Sequence, residues 1–121
     1  MPEPPSGGEL SVRLRRKAED ALARFCDNAV PAVRRASSRL SYRIEGAAAI
    51  LYEARKTTDG KGGWRTLPVV RFRYAQSTRD WHVERLDEKG AWHRAIQVRP
   101  ARRLGKLLRA YSRASGDIFW G

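Results

Sequence analysis

Apolar and polar residues change period along this chain, and each change marks an element. From Glu9 onward, Leu10, Leu14, Ala18, Ala21, Leu22 and Phe25 recur at three- and four-residue steps, while Arg13, Arg16, Lys17 and Arg24 fall largely outside that stripe. This predicts an amphipathic helix ending near Phe25 to Asn28. Val30-Pro31 opens a short second helical turn closed by Ser37-Ser38, because proline suits the first helical position. The period then falls to two. Leu40, Tyr42 and Ile44 alternate with Ser41, Arg43 and Glu45, Gly46 turns the chain, and a second strand runs from about Ala48 to Lys56. Thr57 to Gly63 reads as a flexible connection before Trp64 and Pro68. Val70, Phe72 and Tyr74 alternate with Arg71 and Arg73, then Trp81 and Val83 with His82 and Glu84. After a turn at Asp87-Glu88-Lys89-Gly90, Trp92, Arg94 and Ile96 alternate with Ala91, His93 and Ala95. Pro100 starts a last helix, with Leu104, Leu107, Leu108 and Tyr111 on its apolar stripe and Arg102, Lys106, Arg109 and Arg113 on a basic one.

Strands grouped between helices and joined by short turns predict an α+β fold: an antiparallel meander sheet of about five strands, packed by an N-terminal helix and a C-terminal helix. Residues 1–8, rich in proline and glycine, read as a disordered lead, and residues 9–121 as a single domain. The alternation assigns Leu40, Tyr42, Ile44, Ile50, Tyr52, Val70, Phe72, Tyr74, Trp81, Val83, Trp92 and Ile96 to the face under the helices. Arg43, Glu53, Arg55, Arg71, Arg73, His82, Glu84 and His93 then occupy the opposite face.

Charge narrows the partner. The 121 residues carry 25 Lys plus Arg against 13 Asp plus Glu, a formal net charge of +12. Residues 1–39 contribute a net +3, residues 40–98 a net +4 and residues 99–121 a net +5, so the shortest segment is the most positive. A helix with four basic residues on one stripe can follow a phosphate backbone, where each neutralised phosphate releases counterions. The longest nearly apolar run, Gly46 to Tyr52, is far short of a membrane span, and the first residues lack the basic start and apolar stretch of a signal peptide. A soluble cytoplasmic protein without a membrane partner is therefore expected. One cysteine, Cys26, can form no internal disulfide and anchors no thiolate zinc site. Asp59-Gly60-Lys61-Gly62-Gly63 lacks the Gly-Lys-Ser/Thr pattern of a phosphate loop. Neither a metal nor a cofactor is expected.

Several segments resemble a family of small bacterial proteins catalogued as domain of unknown function 3024. They are Phe25-Cys26, Val30-Pro31, Leu40-x-Tyr42-Arg43-Ile44-x-Gly46, Leu51-Tyr52-Glu53, Phe72-Arg73-Tyr74, Trp81-x-Val83, Gly90-x-Trp92-His93-Arg94 and Gly116-Asp117-Ile118-Phe119-Trp120-Gly121. The resemblance covers about Phe25 to Gly121 and implies no activity. Members usually carry aromatics where this chain has Glu84, Arg85 and Ala95, which makes this chain more basic and less aromatic there.

Three functional readings follow. The first is a small, non-catalytic nucleic-acid-binding protein of low sequence specificity, for DNA or RNA, using Arg102, Lys106, Arg109, Arg113, Arg71 and Arg73. The second is a ribonuclease-like toxin: a turn centred on Glu88-Lys89 sets His93 opposite Glu84 with His82 on the diagonal, an acid and base set beside Arg71 and Arg73. The third is a protein-interaction module. The terminal Ile118-Phe119-Trp120-Gly121 either tucks over the core or projects Phe119 and Trp120 toward a partner protein or a second copy.

Overall fold

The computed structural model describes residues 9–29, 38–96 and 98–114. The expected lead at 1–8, the helical turn between Val30 and Ser37 and the terminal Ile118-Phe119-Trp120-Gly121 lie outside those residues. Helix α1 spans Val12–Ala29. It begins two residues later than the apolar stripe because Ser11 caps it: the Ser11 hydroxyl accepts from the Leu14 amide at 3.1 Å. Leu10, just outside the helix, is nonetheless buried in the core.

Five strands follow in sequence order and in sheet order: β1 (Ser38–Glu45), β2 (Ala48–Lys56), β3 (Trp64–Ala75), β4 (Asp80–Leu86) and β5 (Trp92–Arg94). Every neighbouring pair is antiparallel, so the sheet is the expected meander. Strand β3 starts well before Val70 and includes Pro68, which has no amide to give. The ladder accommodates it with a bulge: Leu51 pairs with Val70 but Tyr52 pairs with Pro68, leaving Val69 as the extra residue. Beyond β5 the chain turns back on β4, where Trp81 and Ala101 exchange two backbone hydrogen bonds of 2.7 and 3.1 Å. That bridge holds Ala101 extended, so α2 (Leu104–Ala114) starts later than Pro100.

Both helices cover one face of the sheet. Ala18 and Leu22 of α1, Leu104, Leu107 and Leu108 of α2, and Leu51, Val70, Phe72, Trp81 and Val83 of the sheet form one buried cluster. Trp81 is 1% exposed, and its ring meets Tyr74 at 5.2 Å between centroids. Among the described residues, no helix is long and apolar enough to cross a membrane.

Two strands present their side chains opposite to the sequence expectation. The two-residue turn Gly46-Ala47 pairs Tyr42 with Leu51 and Ile44 with Ala49, so odd-numbered β2 residues face the helices. Ile50 and Tyr52 therefore lie on the open face, and Glu53 and Arg55 on the helix side. In β5 the turn is one residue longer than expected. Asp87 accepts from the amides of Lys89 and Ala91, each at 2.8 Å, and Leu86 pairs with Trp92, Arg85 with His93 and Glu84 with Arg94. A slip of one residue reverses every side chain. Trp92 thus lies on the open face and His93 on the helix side, while Ile96, beyond the strand, is 87% exposed.

Candidate nucleic-acid interface

Where α1, packed on β1, lies beside α2, packed on β4, the two helices leave a groove of about 570 Å³. Leu14, Ala18 and Ala21 form one wall, Leu104 and Gly105 the other, and Trp81 lies between them. The small side chains follow from the helical spacing of Ala18 and Ala21 on α1 and from Gly105 near the start of α2. A Cβ added at Gly105 would meet nothing within 4 Å.

Lys17, Arg102, Arg103, Lys106 and Arg109 join the lining, and among the described residues no carboxylate does. All five are exposed. The spacing that makes α1 amphipathic puts Lys17 at the border of its apolar stripe, and the bend just before α2 carries Arg102 and Arg103 to the opposite rim. No salt bridge among the described residues involves these five cations. Other arginines are paired: Arg15 with Glu19, Arg43 with Glu45, Arg55 with Glu53, and both Arg71 and Arg73 with Glu84.

The residues expected to hold nucleic acid are divided between two surfaces. Arg102, Lys106 and Arg109 line the groove. Arg113 lies on α2, but its side chain falls outside the described part. Arg71 and Arg73 are on the open face of the sheet, where their Nε atoms donate to Glu84 Oε1 at 2.5 and 3.3 Å. Lys17 and Arg103 were not singled out by sequence. The available signal was the position of Lys17 beside Ala18, which becomes meaningful only once α2 is docked there.

The expected acid and base set is not assembled. His82 and Glu84 share the open face, but His93 is turned to the other side, opposite Arg85. Each histidine has its own carboxylate: His82 Nε2 lies 2.9 Å from Asp80 and His93 Nε2 lies 2.5 Å from Asp87. The Thr78 hydroxyl, with a smaller effect from His82, holds the Asp80 carboxyl below its ordinary range. The Ala91 amide, then His93, does the same for Asp87. Burial, reinforced by Asp27, pushes the Cys26 thiol up to about 11, so it stays protonated and is a poor nucleophile near neutral pH. Among the described residues, no group of three or more His, Cys, Asp or Glu side chains could hold a metal ion.

Comparison with known proteins finds a family model, described as a domain of unknown function (DUF3024), that matches residues 10–121. No curated protein and no solved structure matches the chain.

Proposed function

From a chain that belongs to the DUF3024 family, a membership that carries no activity with it, we propose a cytoplasmic nucleic-acid-binding protein, non-catalytic and of low sequence specificity. The contact is made by the cationic groove between α1 and α2. One observation carries this reading: among the described residues, five exposed cations converge on an open groove with no carboxylate in its lining. Like charges gathered around one concavity repel each other, and a bound polyanion relieves that repulsion while releasing its counterions. The side chains are lysines and arginines around a broad opening, suited to phosphate oxygens; contacts of that kind fix position and carry no sequence information. DNA and RNA both meet that requirement.

The test is the affinity of the full chain for labelled DNA and RNA between about 50 and 200 mM salt. If all five cations meet phosphates, the logarithm of the binding constant on duplex falls with the logarithm of salt at a slope of about −4 to −5. Lys106→Ala should make that slope shallower by about one unit, uniformly across sequences. Absence of binding at low salt, or a slope indifferent to Lys106→Ala and Arg102→Ala, would remove the groove as the interface.

A further inference from the structure

We infer that the open face of the sheet is a second contact surface, one that takes unpaired bases, and that the protein therefore prefers single-stranded nucleic acid to duplex. This rests on the groove reading above and adds the kind of nucleic acid to it.

Two local features bring aromatics to a face that the alternation pattern leaves mainly ionic. The bulge at Val69 reverses the parity of β3, so Trp64, paired with Lys56, shares the open face with Arg71 and Arg73. The five-residue turn from Asp87 to Ala91 does the same for Trp92. Tyr52 lies on that face as well, opposite Ser41. All three rings are partly exposed. By strand geometry, Trp64 and Trp92 each sit roughly 14 Å from Tyr52, one along the sheet and the other across it.

Arginines accompany the rings. The Arg39 guanidinium lies 4.2 Å from the Trp64 centroid and that of Arg71 lies 4.8 Å from the Trp92 centroid. Arg43, Ile50, Arg71, Glu84 and Arg94 form one cross-strand row, which leaves the face richer in cations than in carboxylates. Aromatic rings and guanidinium planes are the two side-chain surfaces on which unpaired bases stack, and neighbouring cations track the linking phosphates. A duplex keeps its base faces against one another and can offer this surface only phosphates. The occupant that matches both the rings and the charge is a single strand.

The experiment measures affinity of the full chain for a single-stranded oligothymidylate and for a blunt duplex of equal length. Wild type, Trp64→Ala, Trp92→Ala, Trp92→Phe and a groove variant, Arg102→Ala with Lys106→Ala, are compared, each confirmed folded by circular dichroism. Wild type should favour the single strand. Each Trp→Ala change should reduce that preference about tenfold, Trp92→Phe should restore most of it, and the groove variant should weaken both probes alike. Equal affinity of wild type for both probes, or a preference that survives both Trp→Ala changes, overturns this inference while leaving the groove reading intact. Binding of neither probe overturns both.

Discussion

The two tryptophans on neighbouring strands of the sheet, Trp81 in β4 and Trp92 in β5, illustrate how little residue type alone decides. Trp81 is 1% exposed under the helices, whereas Trp92 is partly exposed on the other face beneath Arg71. Trp81→Ala should cost about 3–5 kcal/mol through lost transfer energy and the cavity left behind. Trp92→Ala, which removes a half-covered ring and its cation contact, should cost about 1–2 kcal/mol. Denaturant unfolding of the two variants measures the difference, and equal losses would contradict the assignment of faces. Asp87 decides which face Trp92 takes. Its carboxylate anchors the Lys89 and Ala91 amides and is held below the ordinary 3.8 by the Ala91 amide and then by His93. A depressed value in the fold means the anchor helps at pH above the usual carboxylate range and is lost as pH falls through the folded-state value. The Ala91 amide resonance should therefore titrate with a midpoint below 3.8; a midpoint at or above that value would mean the turn is held by other contacts.

At the scale of elements, periodicity was enough to locate both helices and all five strands, because each half-buried element repeats its apolar positions at its own period. Which face a strand shows was less legible, since turn geometry sets it and hydrophobicity need not agree. In β2, the large apolar side chains of Ile50 and Tyr52 suggested the core, but the two-residue turn at Gly46-Ala47 gives that place to Ala49 and Leu51. The groove was invisible for a different reason: its basic residues come from two helices whose docking no local pattern encodes. Only Arg102, Lys106 and Arg109 could be chosen from the sequence, because they repeat within one segment. Gly105 in α2 offers a test of this element. No close neighbour and no positive φ requires a glycine there, so Gly105→Ala should raise stability by about 0.5–1 kcal/mol through helix propensity. Thermal unfolding reads the outcome, and a loss of stability would mean that the groove wall needs the missing side chain.

For the whole molecule, the two cationic surfaces lie on opposite sides of one sheet: the groove above the helix-covered face and the arginine and tryptophan rows on the open face. A single strand that uses both surfaces must pass around a sheet edge, so its advantage over duplex should grow with oligonucleotide length until that path is spanned. The groove has one further property, which follows from the order in which its walls are made. Lys17, Ala18 and Ala21 precede the whole meander in the chain, while Arg102 to Arg109 follow it. Between them the whole meander must be synthesised and paired before the walls can meet. A nascent chain therefore carries the cations of α1 without the concavity that concentrates their field, and the composite surface arises only when the late helix docks. Assembly from segments on either side of the meander in this way delays the convergence of these cations until the sheet between them has been made.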